Sequence, residues 1–145
     1  DVATYIQSGN LVFAADAAPE ALEAKLEQAI ARRFSLDVPV IVRTAGQWRA
    51  LAADNPFAEA ASDEPNRLLL VVAKRPPLPD AADRLMERAQ GGEKVRLAGE
   101  GLWIHFADGV ARSKLTPAAI DKACGSPATG RNYRTVLKLR ELLAP

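Results

Sequence analysis

The sequence predicts an α+β protein, and three observations carry that prediction. Short runs at strand period alternate with amphipathic helical runs along the whole chain. Two turns rich in glycine each join a pair of strand runs, which makes hairpins and hence antiparallel pairing. The elements also fall in an order, ββαβ in the first half and βαββα in the second, close to the ferredoxin-like unit βαββαβ. A strand and a helix ahead of Asp1 would complete the first unit, and one final strand would complete the second. The expected architecture is two ferredoxin-like halves, about residues 1–55 and 66–145, packed as one compact domain over residues 1–145. No repeat is visible at the level of letters.

The first hairpin is expected from residues 3–7 and 11–14, joined through Gly9-Asn10, which tolerate positive φ. Pro19 then suits the first turn of a helix running to Phe34, with Glu20 and Glu23 at its positive end and Arg32-Arg33 at its negative end. Leu22, Leu26, Ala29, Ile30 and Phe34 share its helical spacing and are expected to be buried. Residues 38–42 read as a buried strand because their apolar, β-branched run asks for cover on both faces. Thr44 caps a short helix that ends near Asn55-Pro56, and residues 57–66 read as a polar loop.

Residues 68–73 form the next buried strand, and the proline-rich residues 75–79 a stiff connection. A helix over 80–89 stops before Gly91-Gly92, and residues 94–98 and 102–107 make the second hairpin. Thr116-Pro117 opens a helix ending near Gly125, and Asn132 opens the last, running to Leu143. In that last helix Tyr133, Val136, Leu137 and Leu143 are expected inside, with Arg134, Lys138 and Glu141 outside.

Nineteen basic against 18 acidic residues leave a formal charge of +1, so no overall field drives the chain onto nucleic acid or membrane. Any anion site must be local. The single cysteine, Cys124, excludes an internal disulfide, and no secretory signal or membrane-length apolar run is present, so the expected address is the cytoplasm. Asp1 is not a start methionine, and an N-terminal segment is expected to precede it.

Catalytic and metal constellations are mostly excluded. One histidine and one cysteine cannot build a paired-ligand zinc site, and neither a phosphate loop, a dinucleotide fingerprint nor GxSxG occurs. No cofactor, metal or catalytic residue is therefore nominated. A nucleophile and base from Cys124 and His105 would lack an orienting third group, and Cys124 reads more simply as a small buried residue at a helix end. Carboxylates such as Glu20, Glu23 and Glu27 read as solvated helix surface.

Trp103 and His105 share one face of their strand, and an RNA-binding sheet would stack bases on such a face if it were open. The competing reading covers that face with the rest of the chain. The better signal is basic. Arg112, Ser113 and Lys114 run into the cap Thr116, while Thr129, Arg131, Asn132 and Arg134 surround the next helix start. Cations at a helix N-terminus cost about 0.3–1 kcal/mol each, a cost that a bound anion would reverse. Phosphate or carboxylate fits such a set of guanidinium forks, hydroxyl and backbone N–H groups. Lys114, Thr116, Thr129, Arg131, Asn132 and Arg134 are the candidate ligands, with Ser8 and Asn10 of the first turn nearby. Alternatively, Arg131 and Arg134 pair with carboxylates of the fold, and the chain is a structural or oligomerisation domain.

Two stretches, YIQSGNLVF (residues 5–13) and TGRNYRTVLKL (residues 129–139), together resemble the bacterial family known as domain of unknown function 1697. Asn55-Pro56-Phe57 and Ser113-Lys114-Leu115-Thr116 fit the same pattern, with Tyr133 where tryptophan is more usual. The resemblance implies a tandem ferredoxin-like α+β fold and an LRGINVGG-like segment ahead of Asp1. It implies no activity.

Overall fold

A computed structural model describes residues 2–5 and 9–143, which form a mixed α+β protein with two antiparallel sheets. The smaller sheet is the N-terminal hairpin, β1 (Val2–Tyr5) and β2 (Asn10–Phe13), in register with Tyr5 opposite Asn10. Gly9 has φ 81°, the left-handed conformation expected of the turn. Helix α1 (Pro19–Phe34) has the predicted bounds, with proline in its first turn and Ser35 in the left-handed conformation after its last.

The first half departs from expectation in what it buries. Phe34 is 64% exposed and Ala29 is exposed, whereas Glu23, read as solvated surface, is buried. Residues 38–42 are not a strand: they run half-exposed beside α1, and no strand among the described residues pairs with them. Two carboxylates one helical turn apart hold them instead. Val40 N–H donates to Glu27 Oε2 at 3.0 Å and Val42 N–H to Glu23 Oε2 at 2.9 Å. A β-branched run needs a neighbouring ladder to become a strand, and a charged side chain has taken that place. Glu27 is tied by Lys74 as well.

Thr44 caps α2 (Ala45–Ala53) in a full capping box with Gln47. The expected loop after it contains α3 (Ala58–Asp63) and a 3₁₀ turn over Pro65–Arg67, because Phe57 and Ala60 are buried and pull the segment inward. The larger sheet follows, built from β3 (Leu68–Ala73), β4 (Lys94–Ala98), β5 (Gly101–His105) and β6 (Ala128–Asn132) in the order β4-β5-β3-β6. Helix α4 (Ala81–Arg88) joins β3 to β4, and α5 (Pro117–Cys124) joins β5 to β6. Strand β6 corrects the expectation that the second half lacks its final strand. Its sequence ATGRN has little strand propensity, but five register pairs with β3 impose the conformation. A Cβ on Gly130 would lie 2.8 Å from Leu69 Cδ2, so the missing side chain lets β6 close on its partner. The chain ends in α6 (Tyr133–Leu142), capped by Asn132 as expected, with Thr135, Val136 and Leu139 buried.

Alternation along β3 divides the core in two. Val71 and Ala73 face one side, with Leu102, Ile104 and the buried residues of α4 and α5. Leu68, Leu70 and Val72 face the other, with Trp103 and with residues of α2, α3 and α6. Both faces are covered. Trp103 is fully buried, so its face of β5 is not the open stacking surface that RNA would require.

Candidate functional site

The sheet edge at β6 meets the N-terminal hairpin, and the predicted site residues divide there. Thr129 and Arg131 lie two apart on β6, opposite Val72 and Leu70, so their side chains leave the same face. Arg131 is half-buried. Its Nε donates to Asn10 Oδ1 at 2.7 Å, and its Nη1 donates to Thr129 Oγ1 at 2.5 Å and to the Gly130 carbonyl at 2.9 Å. Asn10, 9% exposed, spends its Nδ2 on the Tyr5 carbonyl at 2.9 Å, which orients its oxygen toward the arginine. Burial pushes the Arg131 guanidinium below its ordinary pKa. An arginine remains charged through such a shift, so the site holds a cation in partly desolvated surroundings.

These groups line a cavity of about 150 Å³ whose other walls include Arg43, Ile41, Trp48 and Leu143. Arg43 donates through Nη1 to the Val42 carbonyl at 2.9 Å and through Nη2 to the Ala73 carbonyl, and its Nη1 lies 3.9 Å from Glu23 Oε2. Trp48 is fixed by its Nε1, which donates to the Val136 carbonyl at 3.2 Å. Two guanidinium groups and one hydroxyl thus line a small space, with the Asn10 amide N–H and the Trp48 indole N–H beside them already spent on backbone carbonyls. Guanidinium groups in general pair with planar or tetrahedral oxyanions.

The fold does not bring all of the predicted residues together. Asn132 is exposed, and its side-chain oxygen accepts Thr135 N–H at 3.1 Å, so it serves the α6 cap. Arg134 is exposed on α6 and makes no ion pair among the described residues. Lys114 and Thr116 lie at the start of α5, whose buried residues pack on the sheet face opposite α6. There Thr116 Oγ1 accepts Ala119 N–H at 3.2 Å, while the Lys114 carbonyl accepts from Arg88 Nε at 2.8 Å. Ser8 lies outside the described residues.

Arg43 and Trp48 are the residues that sequence reasoning missed. Arg43 stands immediately before the cap Thr44 just as Arg131 stands before the cap Asn132, and that shared pattern is the signal that could have found it. His105 and Cys124 belong to different sheet faces, which ends the nucleophile-base idea. His105 Nε2 lies 3.3 Å from Glu64 Oε1 without hydrogen-bond alignment, and Cys124 is buried among α4 and α5. Among the described residues no group of His, Cys, Asp and Glu is arranged to hold a metal ion. Nor is any helix long and apolar enough to cross a membrane.

The α+β fold and the arginine-lined cavity define the chain as a mixed α+β protein with a polar recess beside the edge of its larger sheet. The model for a family described as protein of unknown function (DUF1697) matches residues 1–103, and the chain belongs to that family. The matched span includes Asn10, Arg43 and Trp48 and stops before β6. No curated protein and no solved structure matches the chain.

Proposed function

We propose that the chain binds a small molecule through a phosphate or carboxylate group seated between Arg43 and Arg131. The observation that carries this reading is the convergence of those two arginines with Thr129, Asn10 and Trp48 on one cavity of about 150 Å³. Holding a partly buried guanidinium is costly, and an anion beside it offsets the cost. The cavity volume suits a phosphate or carboxylate head and leaves the rest of the molecule outside. In this reading Lys114, Thr116 and Arg134 do not touch the anion. The surrounding architecture is best read as two ferredoxin-like halves in one domain, the second running β3-α4-β4-β5-α5-β6. A cytoplasmic address fits a chain with one cysteine.

Inorganic phosphate titration followed by Trp48 fluorescence tests the proposal, since that indole lines the cavity. Arg131→Ala and Arg43→Ala should each weaken binding roughly tenfold or more, about 1.4 kcal/mol. Unchanged affinity in both variants would eliminate the site. A second reading is favoured by the Arg131–Asn10 bond itself: the arginine is a structural clamp between hairpin and sheet, and the chain is an oligomerisation or scaffold domain. Saturating phosphate that leaves the fluorescence and thermal midpoint of the protein unchanged would favour that alternative.

A further inference from the structure

The cavity between Arg43 and Arg131 is less polar than its two guanidinium groups suggest. Leu11, Val12, Ile41, Val72, Leu139 and Leu143 line it together with Trp48. Val72 and Leu139 are themselves buried, so the apolar core reaches the cavity wall. Carbon displaces water from such walls favourably, in proportion to the apolar area that it covers. A ligand that met only the arginines would leave that surface bare.

Donors are in short supply there, and the charge is small. One Asn10 amide N–H goes to the Tyr5 carbonyl and the Trp48 indole N–H to the Val136 carbonyl. Arg131 donates to Asn10, Thr129 and Gly130, and Arg43 donates to the Val42 and Ala73 carbonyls. At most part of each guanidinium fork, one amide hydrogen and the Thr129 hydroxyl hydrogen are left for a ligand. A phosphate has oxygens on all sides, and each one buried without a donor is costly, whereas a carboxylate presents two in one plane. Glu23, 6% exposed, sets its Oε2 3.9 Å from Arg43 Nη1, so the two arginines and this carboxylate together leave one positive charge. A phosphate group carries about −1.5 to −2 at pH 7, and a carboxylate a single negative charge.

We propose, resting on the anion-binding reading, that the ligand is a monocarboxylate whose acid group sits on an apolar carbon skeleton, and that Glu23 sets the preference for a single negative charge. The acid group meets Arg43 and Arg131, and the carbon atoms next to it meet Ile41, Trp48 and Leu143. An apolar cavity of about 150 Å³ takes a molecule the size of benzene. The acid group and about four carbon atoms therefore fill it, and anything larger projects outside. Glu23 faces Arg43 rather than the ligand, and it also accepts the Val42 N–H at 2.9 Å. It acts on the ligand through the charge that it leaves to Arg43.

The test is a calorimetric titration of the protein at pH 7 and constant ionic strength with inorganic phosphate, acetate, isovalerate and the uncharged isoamyl alcohol. Isovalerate should bind at least tenfold more tightly than either acetate or phosphate. Phosphate that binds as tightly as isovalerate overturns the monocarboxylate class and leaves the anion-binding reading standing. Acetate equal to isovalerate also overturns it, because the apolar walls then contribute nothing. Isoamyl alcohol binding as tightly as isovalerate, or no binding by any of the four, refutes the anion-binding reading itself. Arg131→Ala should weaken isovalerate at least tenfold, and binding that survives lies elsewhere and contradicts the site. Glu23→Gln keeps an oxygen for the Val42 N–H and should raise phosphate affinity at least threefold relative to isovalerate. An unchanged ratio of the two affinities contradicts the role of Glu23. Ile41→Ser, at a half-exposed position outside any strand or helix, should weaken isovalerate at least threefold and leave phosphate unchanged, and an equal loss for both overturns the apolar contact.

Discussion

Arg131 and Asn10, 121 positions apart, meet side chain to side chain, with Arg131 Nε donating to Asn10 Oδ1 at 2.7 Å. Asn10 is itself bound to the Tyr5 carbonyl, so one contact links closure of the hairpin to the edge of the larger sheet. Hydrogen bonds to charged groups contribute about 1.5–3 kcal/mol. Arg131→Ala and Asn10→Ala should each lower stability by about that much, and a double-mutant cycle read by urea unfolding should give a coupling of roughly 0.5–3 kcal/mol. Additive losses would show that the two residues act independently.

Acid should loosen the packing of residues 38–42 on α1. Lys74, first, and the Val40 N–H, second, hold the Glu27 carboxyl below its ordinary value of 4.5. A carboxyl lowered in the folded state contributes fully above its ordinary pKa and loses that contribution as pH falls through the lowered value. Stability should therefore fall with pH below about 4.5. Glu27→Gln and Lys74→Gln should both flatten that fall, and an unaltered slope of stability against pH in either variant would contradict the assignment.

Cys124 should be inert while the protein is folded. Burial, and then Asp121, push its thiol up to about 11, and the side chain is 1% exposed. Since the thiolate is the reactive form, a thiol reagent at pH 8 should react at the rate of unfolding and no faster. Prompt stoichiometric reaction in native buffer would count against the packing described for α5.

Core and stripe substitutions should separate sharply. Leu85→Ala empties a site 1% exposed and should cost about 2–5 kcal/mol in urea unfolding. Phe34→Ala, at a position 64% exposed, should change stability by no more than about 0.5 kcal/mol. A large loss at Phe34 would mean that α1 is covered over its last turn.

Elements defined by local signals were legible in the sequence: the Gly9 hairpin, α1 from Pro19, and the capped starts of α2, α5 and α6. What was misread depends on distant partners. Residues 38–42 have strand composition but no ladder, while ATGRN lacks strand composition and is held as β6 by β3. Glu23 obeys the helix dipole and is buried all the same, because Val42 and Arg43 approach it from 19 and 20 positions away. The candidate site was half legible for the same reason. Thr129, Arg131 and Asn10 were named and do meet, whereas the sheet sends Lys114 and Thr116 to its other face and brings in Arg43 instead.

A crystal structure of the protein grown with inorganic phosphate would test the anion site most directly. The account predicts a tetrahedral density within hydrogen-bond distance, about 2.7–3.2 Å, of both the Arg43 and Arg131 guanidinium groups. An arginine-lined cavity without phosphate, at a concentration that fills other basic surfaces, would contradict it.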